Sequence, residues 1–207
     1  MNRLNDANNI KALLIDFLID NNQDVDFLFG SEVFFGKKKR QTDIITVNGT
    51  ITAYEIKASN DDFRRVREQL DDYKKVFDYQ YLVVTEEHEK KATSFLKKNE
   101  GLIVIDRNLN VMICKKASLI KKQSKAEILE TIPLSFLKMQ YRLPSDLNAF
   151  NCRNILLKRR LPELKITLKN FLESRLRPRN DLFKSEKGVS THFEDIKLLS
   201  RQALQLD

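Results

Sequence analysis

Two runs of alternating apolar and polar residues, Asp43 to Val47 and Ile51 to Lys57, face each other across Asn48-Gly49. Asn-Gly between such runs is a strong hairpin signal, so two antiparallel strands are expected here. The side-chain period of two then decides which residues share a face. Glu55 and Lys57 lie on the face of Ile51 and Ala53, and Asp43 lies on the face of Ile45 and Val47. A two-residue loop pairs Asp43 with Tyr54 and puts Asp43 and Glu55 on opposite faces. A three-residue loop with Gly49 left-handed pairs Thr46 with Thr50 and gathers Asp43, Glu55 and Lys57 on one face. The apolar alternation favours the second register, which also aligns Ile45, Ile51 and Ala53. Charged groups at the end of an apolar face are costly to bury unless they pair or hold a metal.

The flanking sequence supplies an α/β frame. Ile10, Leu13, Leu14, Phe17 and Leu18 recur at helical spacing, and Asn21-Asn22 closes that segment. Glu32 to Phe35 reads as a short strand, followed by Gly36 and the run Lys37-Lys38-Lys39-Arg40. After the hairpin a helix is expected from Ser59 or Asn60, with Phe63, Val66, Leu70, Tyr73 and Phe77 as its buried stripe. Strand Tyr81–Thr85, helix Glu87–Lys98, strand Leu102–Asp106 and strand Val111–Lys115 follow. The continuous apolar runs among them suit central strands covered on both faces. Past Lys116 the spacing is helical, punctuated by Pro133, Pro144, Pro162 and Pro178, with Arg177–Ser190 expected as a loop. The 207 residues therefore divide into an α/β core over 1–118 and a helical appendage over 119–207.

Charge follows that division. Residues 1–120 hold 19 Lys+Arg and 19 Asp+Glu, whereas 121–207 hold 18 and 10, so the net +8 resides in the C-terminal part. A basic excess on one region suits a polyanion partner, and a solvated basic surface is the plainer alternative. No apolar run reaches the ~20 residues of a membrane span, and the first residues lack the pattern of a signal peptide. Two cysteines, Cys114 and Cys152, make no disulfide framework, and two histidines leave little material for a Cys–His pair. A cytoplasmic setting with reduced thiols is expected.

Two carboxylates and a lysine on one face suit phosphodiester hydrolysis. Mg²⁺ takes hard oxygen ligands, commonly one or two carboxylates, and acidifies bound water while neutralising developing charge. Asp43, eleven intervening residues, then Glu55-Ile56-Lys57 resembles the Asp…(Asp/Glu)-x-Lys signature of the PD-(D/E)XK, or restriction-endonuclease-like, nucleases. Gln69 and Tyr73 on the following helix resemble the Gln-x-x-x-Tyr motif of the RecB-like branch. The longer string Tyr54–Ser59, Arg65, Gln69, Tyr73, Val76–Asp78 and Leu82–Val84 is similar to a family of small phage and bacterial proteins in that superfamily. The resemblance covers about residues 8–115. Thr42 stands where the motif name has proline.

The resemblance implies a mixed central sheet flanked by helices, with Asp43, Glu55 and the Ile56 carbonyl binding Mg²⁺ or Mn²⁺ and Glu32 as a further ligand. It implies Lys57 as catalytic lysine and Gln69 and Tyr73 lining the site against the scissile phosphate. DNA is the expected partner, with RNA as the alternative. Lys37, Lys38, Lys39, Arg40, Arg65, Lys158, Arg159 and Arg160 are the candidate nucleic-acid contacts. Plainer readings stand beside these: Tyr73 as core, Asp71 and Asp72 as helix surface, and the basic runs as solvated loops. A module that binds nucleic acid or protein on the same fold without cleaving is the rival function.

Overall fold

The computed structural model describes residues 4, 6–22 and 26–200. Helix α1, Ala7–Asp20, is capped by Asp6, whose carboxylate accepts the Asn8 N–H at 2.9 Å. Strand β1, Leu28–Ser31, follows, then the two-stranded ribbon β2 (Phe34–Phe35) and β3 (Arg40–Gln41). Strands β4 (Ile44–Asn48) and β5 (Thr50–Lys57) form the hairpin; helix α2 (Val66–Tyr73) crosses over to β6 (Tyr79–Thr85). Helix α3 (Glu89–Phe95), β7 (Gly101–Ile105) and β8 (Val111–Lys115) complete the sheet. Helices α4 (Lys125–Thr131), α5 (Leu134–Tyr141), α6 (Ala149–Leu157), α7 (Leu161–Glu186) and α8 (Phe193–Leu199) close the described chain.

The main sheet is mixed, in the order β1-β4-β5-β6-β7-β8. The pairs β5-β6 and β6-β7 are parallel and the outer pairs antiparallel. The α/β architecture with a mixed sheet between helices is thus as expected. Its parallel centre explains the unbroken apolar runs: Leu82, Val83 and Val84 are fully buried, as is Ile105. Alternate residues feed two cores. Ile45, Val47, Ile51, Ala53, Leu82 and Val84 pack beneath α2 and the C-terminal helices. Phe29, Ile44, Tyr54, Ile56, Val83 and Ile103 pack beneath α1 and α8.

Several sequence expectations need correction. The helices after residue 118 are not an appendage: Ile128, Leu129, Leu137, Leu156, Leu164 and Leu168 belong to the same core as the sheet face they cover. The expected strand Glu32–Phe35 is cut by Glu32 itself, whose φ of 55° is left-handed. Helix α2 starts only at Val66, because the Asp61 carboxylate holds Ala58 N–H in a turn before it. Glu86–His88 is a 3-10 turn, so α3 is shorter than expected.

The segment Arg177–Ser190, expected as a loop, is helical to Glu186 despite Pro178. Burial outweighs the proline. Leu164, Leu168, Leu172 and Leu176 lie on the first sheet face, and Phe183 joins the opposite core. Asn180, fully buried between them, meets the outer edge of β1: its Oδ1 accepts Phe29 N–H at 2.8 Å and its Nδ2 donates to Phe29 O at 2.7 Å. The side-chain amide thereby stands in for a neighbouring strand. Gly30 permits the approach, since a Cβ there would lie 2.8 Å from both Leu176 Cδ2 and Val33 Cγ2. Among the described residues no helix is long and apolar enough to cross a membrane.

Candidate active site

The hairpin decides where the carboxylates go. Asn48 pairs with Thr50 and Ile45 with Ala53, leaving Gly49, at φ 65°, alone at the tip. This register differs by two from the three-residue loop expected from the alternation. Parity is the same in both, so Asp43 and Glu55 still share a face. Beyond the last paired residue of β4, the Asp43 side chain continues the ladder, its Oδ2 accepting Ile56 N–H at 2.8 Å. In an extended strand a residue's N–H and C=O point to one side, so the Ile56 carbonyl flanks the same carboxylate.

Glu55 is only 2% exposed. Its Oε1 pairs with Lys57 Nζ at 2.9 Å, and its Oε2 accepts the Tyr73 hydroxyl at 2.5 Å. Tyr73 reaches it from the last turn of α2, fully within the core between Phe35 and Phe77. It is therefore both a core residue and a site residue. Burial, then the Asp43 charge, pushes the Glu55 carboxyl up to about 7, against the pull of Lys57 and Tyr73. Burial likewise raises Asp43, opposed by the Ile56 N–H and the charges of Lys11 and Lys57. The Tyr73 phenol is raised by its burial and by Glu55, so it serves as a donor only.

Gln69, one turn before Tyr73, keeps a buried Oε1 with no hydrogen-bond partner among the described residues. With Tyr73, Arg65 and Arg40 it lines a cleft of about 360 Å³. Glu32 is not drawn into the carboxylate pair. Its Oε1 accepts from Lys11 Nζ at 3.2 Å, and among the described residues no group of three or more His, Cys, Asp or Glu comes together. The oxygen donors at hand are therefore Asp43, Glu55 and the Ile56 carbonyl.

Lys11 escaped the sequence reading. It is a 5% exposed lysine on the buried stripe of α1, between Ile10 and Leu14, and its charge acts on both Glu32 and Asp43. A cation inside an apolar stripe was the available signal. Asp72 was expected at the helix surface but is 6% exposed. It binds Arg40 Nε at 2.8 Å and also pairs with Lys75 and Lys38.

The basic run 37–40 is accordingly less free than its composition suggests. Arg40 also holds Glu68, Lys39 donates to Glu130 O at 2.8 Å, and the Lys37 N–H is held by Glu127 at 2.8 Å. Arg65 is exposed at the rim of the 360 Å³ cleft. Lys158, Arg159 and Arg160 line neither that cleft nor the larger groove lined by Glu32; Arg159 pairs with Glu163 at 3.6 Å and lies over the Tyr141 ring.

No match is found among curated proteins. Among solved structures, a Silicibacter pomeroyi protein of unknown function, SPO1766, is similar at 17% identity and a TM-score of 0.41. That likeness covers 79% of this chain and 85% of the other. Residues 1–200 match the family described as bacteriophage P4 protein cII, a match that spans the hairpin, the carboxylate pair and the helices of the described residues. The chain belongs to the bacteriophage P4 protein cII family.

Proposed function

We propose that this protein is a metal-dependent nuclease of the PD-(D/E)XK, restriction-endonuclease-like kind, hydrolysing phosphodiester bonds of DNA. The observation that carries the reading is the convergence of Asp43, Glu55, Lys57 and Tyr73 at one end of β5. Two desolvated carboxylates, each raised by burial and Glu55 further by the charge of Asp43, are poorly accommodated by the protein alone, and a hard divalent cation would relieve that cost. Mg²⁺ also suits a donor set of two carboxylates and a carbonyl, because it keeps several waters and takes substrate phosphate oxygens. When bound, the cation supplies an acidified water and charge neutralisation at the phosphate.

The chain's own groups divide the remaining work. Asp43 and Glu55, with the Ile56 carbonyl, would hold the cation. The Lys57 ammonium, held beside Glu55 at 2.9 Å, would stabilise the developing negative charge and orient the attacking water. Tyr73 keeps Glu55 in one rotamer and favours its ionised form. Gln69, in the cleft wall on α2, would donate its Nε2 amide to the phosphate.

The test is incubation of the purified protein with labelled DNA and RNA in Mg²⁺, Mn²⁺ or EDTA. Cleavage of DNA with either ion, lost in EDTA and in Asp43→Asn and Glu55→Gln with unchanged circular dichroism, is the expected result. Cleavage that persists in those variants, or none by the wild type on any nucleic acid, overturns the proposal. A second reading, binding without cleavage, draws on one observation: both Glu55 oxygens are already engaged, by Lys57 and by Tyr73. It is marked by retention of DNA on the wild type with no product in either ion.

A further inference from the structure

A groove of about 830 Å³ lies between the Ser31–Phe34 segment and helices α5 and α7. It stands at the upper end of the roughly 300–1,000 Å³ that ligand pockets occupy. Its lining combines two chemistries. One is apolar and aromatic: Phe34 is 42% exposed and Met139 67%, with the Phe136 and Phe171 rings packed edge-on at 5.3 Å. The other is cationic: Lys39, Arg153, Arg175 and Arg179 line it with one carboxylate, Glu32, while Arg153 is paired with Glu130 at 3.1 Å. Arg175 forms no ion pair with another described residue.

The groove adjoins the backbone of Asp43. Glu32, in its floor, donates its backbone N–H to Asp43 O at 3.1 Å, and Ser31 Oγ reaches the same oxygen at 3.3 Å. Phe34 and Lys39 also line the smaller cleft bounded by Gln69 and Tyr73. The β2-β3 ribbon is thus a sill shared by two concavities.

We propose that this groove holds a single-stranded stretch of polynucleotide, its bases against Phe34 and Met139 and its phosphates on Arg175 and Lys39. Charge complementarity selects a polyanion. The apolar lining selects single strands, since a duplex hides its base faces whereas an unpaired strand offers them for stacking. The direction of the strand toward Asp43 and Glu55 rests on the nuclease reading; its binding does not.

The test is fluorescence anisotropy in EDTA, where no cleavage intervenes, with labelled oligothymidine and a blunt duplex of equal length. Wild-type protein should prefer the single strand. Phe34→Ala should weaken oligothymidine binding roughly ten-fold, with little change on the duplex, as one lost stacking platform implies. Arg175→Gln should reduce the salt slope for the single strand by about one. Both residues are exposed, so thermal melts of both variants should match wild type. Equal affinity for duplex and single strand, or variants that bind oligothymidine as wild type does, overturns the proposal. A wild type that binds neither nucleic acid overturns it too and leaves the groove to a protein partner. Absence of cleavage in Mg²⁺ refutes the nuclease reading alone, because these measurements need no metal.

Discussion

Glu55→Gln should make the metal-free protein more stable at neutral pH, and the size of the effect follows from the site. Glu55 is 2% exposed, and its carboxyl lies at about 7 in the fold against 4.5 when unconstrained. The folded state therefore binds the proton more tightly than the unfolded chain. Stability from this group is complete below pH 4.5 and is lost as pH rises through about 7. The full difference corresponds to about 3 kcal/mol at pH 8. Glutamine also leaves Lys57 without its partner at 2.9 Å, which offsets part of the gain. A net stabilisation of about 1–3 kcal/mol at pH 8 remains, shrinking to near zero at pH 4. For a chain of this size that is a rise in Tm of roughly 2–10 °C. Calorimetric melts of both proteins in EDTA between pH 4 and pH 8 measure it, and added Mg²⁺ should raise the wild type only. A variant less stable than wild type at pH 8, or a difference that does not vary with pH, refutes the reasoning that desolvation and Asp43 hold this carboxyl up.

Two further outcomes follow from the same geometry. Tyr73→Phe removes the hydroxyl that pulls the Glu55 carboxyl down, so on the proposed nuclease reading the acid limb of a cleavage pH profile should move to higher pH by about half to one unit; a fixed or acid-shifted limb counts against that role. Asn180→Leu leaves the Phe29 N–H and C=O buried without partners and should cost about 2–5 kcal/mol in urea unfolding; a change within 0.5 kcal/mol, the range of ordinary surface substitutions, shows that the edge of β1 needs no such closure.

The parts of the fold that could be read in the sequence are those governed by local period. Alternation in residues 43–57 places Glu55 and Lys57 together without any tertiary information. Parity brings Asp43 to them whichever way the loop slips by two, so the face survives an incorrect register. Gly49 alone at the tip was not legible, because an Asn-Gly pair is compatible with several loop lengths. Longer-range pairings left weaker traces. Arg40 reads as part of a basic run until Asp72 is folded against it. Lys11 reads as a lysine near an apolar stripe until Glu32 and Asp43 come round to meet it. Helix α7 was obscured by Pro178 and polar composition, and its course is decided by β1, which sequence spacing does not mark.

The contact between Phe29 and Asn180 spans 151 residues. During synthesis, which proceeds from the N-terminus, the hairpin with its acidic residues leaves the ribosome long before the helix that seals β1. Until Asn180 emerges, the nascent chain carries an open strand edge two residues from Ser31, whose hydroxyl reaches the Asp43 carbonyl. Such an edge is a template for pairing with other chains. The edge of β1 is thus closed only by a residue synthesised 151 positions later.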